Sequence, residues 1–324
     1  MVPANSAQSK NGLTNIKVER EILPLDMLYY ASEGSVRADV FAGVCRSLEK
    51  MKEKKLPSDN SKETKPPKSS KDIGSILQDW EYEPGTINVR KITGLDGAPK
   101  LQMRLDLGLL QMELTGRPDG ARPFGRESLL DYFEHRLNEY KELNGTDQGF
   151  GLSTDECQAL REEAHMYYNR YLSLLVLEEY PGVVRDTARN IRVIDLCGKY
   201  AVDEQDRLFL EQYRPYITMM NAKAQASIQL ANKELDAAIK TVEAGLERIR
   251  QFYEHFGHEE AFSRSSEARV LKRFSREIRK RIPVDPMERL RRKLDRAVKE
   301  ERYEDAAQLR DQIEARKLGK SELA

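Results

Sequence analysis

The apolar residues change period once along this chain, and that change dictates the order of its elements. In "KLQMRLDLGLLQMELTG", residues 100–116, Leu101, Met103, Leu105, Leu107 and Leu109 alternate with polar or small residues, the period of a strand. The parity then flips, and Leu110, Met112 and Leu114 carry the alternation on. A one-residue shift sends every side chain to the other face, so the pattern predicts a bulge near Gly108. "TINVRKIT" (86–93) reads as a preceding strand, joined through a hairpin at Gly94, Asp96 and Gly97. Pro118, Asp119 and Gly120 of "GRPDG" suit a tight turn that closes the run. Two or three strands are not stable alone in water, so a helix must cover their Leu/Met face. "ESLLDYFEHRLNEYKEL" (127–143), with Leu130, Phe133, Leu137 and Tyr140 on one stripe, is the candidate.

Beyond residue 150 the spacing is three and four throughout. Ser153 and Glu156 have the spacing of a capping box, followed by Leu160, Ala164, Tyr168, Tyr171 and Leu175 until Pro181 and Gly182 break the run. A second helix carries Val184, Thr187, Ile191 and Ile194; a third starts near Asp203 and is expected to kink at Pro215. Ala226, Leu235, Ala238, Val242 and Gly245 resemble the packing positions of a tetratricopeptide-type helical hairpin, where small residues let two helices approach closely. The match covers one repeat, which leaves a solenoid and a generic antiparallel bundle both open.

The fold class expected is therefore mainly α, with a small antiparallel β element at about 86–116, a helical bundle and a C-terminal helical hairpin. Residues 1–51 read as a loose tail to about residue 15 and an amphipathic helix (Val36, Val40, Phe41, Val44, Leu48, Met51). Residues 52–71 are Lys, Pro and Ser with hardly an apolar group, too polar to offset the entropy of ordering, and read as a disordered linker. The β element with its covering helix takes 72–150, the bundle 151–282 and the terminal hairpin 283–324.

Chemistry-bearing patterns are few. There is no phosphate-cradling glycine loop, no nucleophile elbow and no C-x-x-C pair. Cys45, Cys157 and Cys197 are widely spaced and odd in number, as expected of reduced thiols in a cytoplasmic protein. The longest apolar run, "YLSLLVL" (171–177), is too short to span a bilayer. His255, His258, Glu259 and Glu260 of "HFGHEE" are the one cluster with metal-ligand chemistry, but Gly257 marks a helix end, where solvated loop histidines are common. The carboxylates read as solvated helix faces. The sequence thus predicts no catalytic residue, no metal and no cofactor.

Lys and Arg equal Asp and Glu at 54 each, so net charge by itself points to no anionic partner. Locally the balance breaks. In "RSSEARVLKRFSREIRKRI" (264–282), Arg269, Lys272, Arg273, Arg276, Arg279 and Lys280 share a helix with the apolar stripe Val270, Phe274 and Ile278. Such a helix can lay cations along a phosphate backbone, or can be a surface helix whose terminal cations complement its dipole.

After Pro283 and Pro286, a first segment sets Leu290, Leu294 and Ala297 on one stripe, and a second starts at Tyr303 with Glu304 and Asp305 in its first turn. Ala306, Leu309, Arg310 and Ile313 form the expected inner face of the second helix, and Ala306 with Ala307 allows close approach. The connector "EER" is short, which requires an antiparallel pair. Some thirty residues bury too little to stand alone, so the hairpin needs a partner hairpin, its own copy or another protein's.

The pattern Leu290, Leu294, Ala297 followed by "YEDAAQLRDQI" resembles the UVR motif of the bacterial excision-repair proteins UvrB and UvrC. Tyr303, Glu304, Asp305, Ala306, Ala307, Leu309, Arg310, Asp311 and Ile313 stand at the motif positions, with Tyr303 where Phe is commoner. The resemblance covers about a tenth of the chain. It implies a bacterial source and a hairpin for protein–protein contact, homotypic or between repair subunits. The motif also occurs in Clp-family unfoldases and in activators of protein arginine kinases, so it does not by itself mean repair. The helicase and nuclease signatures of the repair proteins are missing here, as are the paired cysteines of the kinase activators. The segment "QMRLDLGLLQMELTGRPDG" ahead of a helical region and a UVR hairpin is similar to a poorly characterised group of bacterial proteins. The expected function is a non-enzymatic adaptor docking through this hairpin; nucleic-acid binding by the basic helix, or regulation of a Clp-type protease or arginine kinase system, is the alternative.

Overall fold

The computed structural model describes residues 14–16, 72–78, 80, 82, 86–282 and 286–321, with backbone alone at 14–16, 286, 288, 289 and 317–321. The expected N-terminal amphipathic helix and the Lys/Pro/Ser linker lie outside the described residues.

The sheet has four antiparallel strands in chain order: β1 (Thr14–Ile16), β2 (Ile87–Thr93), β3 (Pro99–Arg104) and β4 (Leu109–Glu113). Strand β1 comes from the region read as the end of a tail. The parity flip is not a bulge. It is the β3–β4 hairpin itself, in which Leu101 pairs with Met112 and Met103 with Leu110. Paired residue numbers there sum to an odd value, so one face carries odd residues on β3 and even ones on β4. The turn is closed by the Leu105 amide donating to the Gly108 carbonyl at 2.9 Å, and Leu107 at its tip is exposed. Val89, Leu101, Met103 and Met112 form the buried face. The opposite face carries a polar ladder, Arg90 Nε to Gln102 Oε1 (2.8 Å) and Gln102 Nε2 to Gln111 Oε1 (2.9 Å).

A short helix α1 (Gly74–Leu77) precedes the sheet, and the rest is helical: α2 (Leu129–Asn144), α3 (Thr154–Val176), α4 (Tyr180–Tyr200), α5 (Glu204–Phe209), α6 (Arg214–Ala231), α7 (Leu235–His255), α8 (Glu259–Arg264) and α9 (Ser266–Arg281). The Ser153 capping box opens α3 as its spacing requires. Pro181 and Pro215 lie in the first turns of α4 and α6, where a missing N–H costs nothing, so Pro215 starts a helix and does not kink one. The long helix α3 packs against β2 and β3, and α2, the expected cover, packs on α3. Antiparallel neighbours α3/α4, α4/α6, α6/α7 and α7/α9 then build one continuous core. At the α6–α7 crossing Gly245 is needed for space: a Cβ there would sit 2.6 Å from Ala222 Cβ.

Two carboxylates expected on solvated faces are fully buried. Asp186 takes a two-pronged bond from Arg170 (2.7 and 2.8 Å), and Arg170 Nη1 also donates to the carbonyls of Glu113 (3.1 Å) and Gly116 (2.7 Å). Glu163 accepts from the amides of Leu129 (2.8 Å) and Leu130 (3.3 Å), the open N-terminus of α2, and pairs with Arg189. The Arg170 and Arg189 guanidinium groups both lie over the Tyr167 ring, 4.7 and 4.1 Å from its centre. Burial pulls Arg189 down to about 9. These charges fasten the "GRPDG" turn and α2 to the bundle, a structural task in which each carboxylate is satisfied. Cys157 and Cys197, distant in sequence, meet in the core; their mutual hydrogen bond pushes the Cys157 thiol down and the Cys197 thiol up.

Candidate functional site: the C-terminal hairpin

Helices α10 (Pro286–Lys299) and α11 (Tyr303–Ser321) form an antiparallel pair joined by Glu300, Glu301 and Arg302, the connector the sequence predicts. Glu301 has φ 56°; its amide donates to the Val298 carbonyl (3.1 Å), and the Arg302 amide to that of Ala297 (2.8 Å). That pair of bonds is a Schellman closure with a glutamate at the left-handed position. Arg302 bridges Glu300 (2.7 Å) and Asp305 (2.6 Å), which holds the start of α11.

With a charged residue at the left-handed position, the same closure occurs twice more, in the bundle. Glu178 (φ 58°) joins α3 to α4 and Lys233 (φ 65°) joins α6 to α7, each with the corresponding two carbonyl acceptors. Five residues beyond the left-handed position stands a buried residue in every case: Val183, Ala238 and Ala306. Two residues beyond it stand Tyr180, Leu235 and Tyr303. Tyr180 and Leu235 pack against the core, whereas Tyr303 is 68% exposed.

Between α10 and α11 the seam is Ala297, Ala306 and Ile313, all buried, with Leu290, Leu294 and Leu309 half-buried. Arg310, expected on the inner face, is exposed, as are Ala307 and Asp311. The reason is that the seam is narrow: Ala306, Leu309 and Ile313, at steps of three and four, fill it. Arg310 instead lines an open groove of about 590 Å³ with Leu294, Asp295, Val298, Lys299, Tyr303, Ala306 and Ala307. Val298, 49% exposed, is an apolar groove residue that the seam pattern did not single out. Its signal was its place beside Ala297, one position off the stripe. The groove thus has an apolar floor and a rim of one carboxylate and two cations, a surface suited to an amphipathic helix.

The basic helix α9 buries Ala268, Val270, Leu271, Ser275 and Ile278. Arg269, Lys272, Arg276, Arg279 and Lys280 are exposed and Arg273 is half-buried. Arg279 pairs with Glu243 (2.5 Å), and Lys272 Nζ lies 4.7 Å from the centre of the Phe262 ring. At "HFGHEE", Gly257 (φ 69°) closes α7 and His258 precedes α8; among the described residues no group of three or more His, Cys, Asp or Glu could hold a metal ion. No described helix is long and apolar enough to cross a membrane.

No curated protein and no solved structure matches the chain. One family model does, the UvrB/uvrC motif, over residues 286–317. That span begins with α10, contains the seam and the groove, and ends within α11. The chain is a UVR-motif-containing protein, with the motif carried by its last helical hairpin.

Proposed function

We propose that the protein is a non-enzymatic adaptor whose C-terminal hairpin docks a second helical hairpin, from its own copy or from another protein, while the helical body serves as scaffold. The observation that carries this reading is Tyr303. At the same position of the two hairpins in the bundle, Tyr180 and Leu235 are half-buried against the core, and Tyr303 is exposed. Val298, Ala307 and half-buried Leu294 continue the open surface beside it. A large exposed aromatic lining a groove with an apolar floor is the kind of residue that dominates binding energy when covered. The family match supports a role in protein interaction or in a repair-related process.

The test is sedimentation of the full chain and affinity capture from its native cell, with Val298→Asp/Tyr303→Asp beside the unchanged protein. Loss of self-association or of a specific captured protein, with helix content unchanged, is the expected result. Identical oligomeric state and identical capture for both proteins would refute it.

A further inference from the structure

Charge is segregated along the chain. Residues 264–299 hold fourteen Lys and Arg against five Asp and Glu, while residues 72–263 hold twenty-two against thirty-three. An overall neutral protein is thus an acidic body followed by a basic tract, and α9 is where that tract is anchored on the body through α7 and α6. On α9 the cations Arg269, Lys272, Arg273, Arg276, Arg279 and Lys280 are separated by steps of three and one, which places them on one side of a helix, opposite Val270, Leu271 and Ile278. From Arg269 to Lys280 the row runs twelve residues, eleven rises of about 1.5 Å, or about 16 Å of helix. That is the axial length of roughly five base pairs at about 3.4 Å each.

We propose that the exposed face of α9 is a nucleic-acid backbone contact. Two features select phosphate over an acidic protein as its occupant. The row contains no apolar side chain, since every apolar residue of α9 is turned inward or half-buried, and a protein interface needs apolar anchors that a phosphate contact does not. Four of the six cations are arginine, whose planar fork matches phosphate oxygens. Arg269, Lys272, Arg276 and Lys280 have no carboxylate within ion-pairing distance among the described residues; only Arg279 of these exposed cations holds a carboxylate, Glu243. The acidic body repels phosphate and confines the contact to this face. The contact proposed is to the backbone, the sequence-independent part of nucleic-acid binding, which the salt dependence reads directly.

The experiment titrates the full chain into a fluorescein-labelled duplex of about 20 base pairs, and into a single strand of the same length, between about 50 and 200 mM KCl. Five contacts give a log–log salt slope of about −4.5 on duplex and about −3.5 on single strand. Arg269→Ala/Arg276→Ala/Lys280→Ala makes the duplex slope shallower by about 2.7. Arg269→Lys/Arg276→Lys, which keeps the charge, retains the slope, and Lys240→Ala/Arg248→Ala on exposed α7 positions leaves it unchanged. No binding at about 50 mM salt, or an unchanged slope in the triple variant, overturns the proposal. So does competition by polyglutamate of equal charge as effective as by unlabelled DNA, which would assign the face to an acidic protein.

Discussion

Gly245→Ala isolates a close helix–helix approach in the bundle, because two opposing effects are both calculable. Replacing a mid-helix glycine by alanine gains about 1 kcal/mol of helix propensity. Against that, the new Cβ would sit 2.6 Å from Ala222 Cβ and 3.3 Å from Leu271 Cδ1, and Ala222 and Leu271 are both fully buried. Ordinary carbon contacts need about 3.5–4.0 Å, so α6 and α7 must separate by about 1 Å, a strain of about 1–3 kcal/mol. The net expectation is a loss of about 1 kcal/mol, or about 2–4 °C in Tm for a body of this size. Ala222→Gly alone loses about 1 kcal/mol of propensity and opens a small void. In the double variant the new methyl takes the place of the old one, so the pair returns near the starting stability, a coupling of about 2 kcal/mol. Urea denaturation of the four proteins measures the cycle. Stabilisation by Gly245→Ala of about 1 kcal/mol, with additive effects, would refute the steric reasoning and reduce Gly245 to an accident of composition.

Three further outcomes follow from other parts of the fold. Glu163→Gln leaves Arg189 buried without its counter-charge and weakens the anchor of α2, so urea denaturation should register a loss of about 3–5 kcal/mol. Lys233→Gly relieves a non-glycine left-handed residue worth about 1–2 kcal/mol and gives back part through unfolded-chain entropy; a rise of about 0.5–1 kcal/mol is expected in the same assay, and a fall would place the strain elsewhere. Asp147 is held down to about 2 by its bonds from Lys199 (2.8 Å) and Tyr200 (2.7 Å). Its folded value lies below the unfolded 3.8, so its contribution is present above about pH 4 and is lost as pH falls towards 2. Thermal melts of Asp147→Asn should show a flatter acid limb across that window than those of the unchanged protein.

The fold was legible where a residue's neighbours in sequence decide its state. The capping box at Ser153, the glycine closure at Gly257 and the alanine seam of the last hairpin all follow from local spacing. The β3–β4 hairpin was misread as a bulge because both produce a parity flip; the turn Leu105–Gly108 contains an exposed Leu107 that kept the apolar pattern running through it. Glu163 and Asp186 were invisible as core groups, since their partners Arg189 and Arg170 are one or more helical turns away on another helix, a placement no periodicity encodes. The Cys157–Cys197 contact is hidden in the same way. For the hairpin, the seam was read from alanine and leucine spacing, but the fate of Arg310 was not, because one step along a helix separates seam from groove.

Among the described residues, one helical-hairpin unit occurs three times, with a charged left-handed residue at the closure and a buried residue five positions on. What separates the third is not how it folds but what it lacks. In the bundle the residue two positions past the closure, Tyr180 or Leu235, is half-buried against the core. Tyr303 is exposed in the described hairpin, so the apolar surface of Val298, Tyr303 and Ala307 stays available. The closure bonds, the Arg302 bridges and the Ala297–Ala306–Ile313 seam fix the hairpin's geometry without using those groove residues. Leu294 and Ala306 serve both seam and groove, but Val298, Tyr303 and Ala307 and the Asp295, Lys299 and Arg310 rim are exposed, so substitutions at these six positions test the groove while the buried seam stays intact.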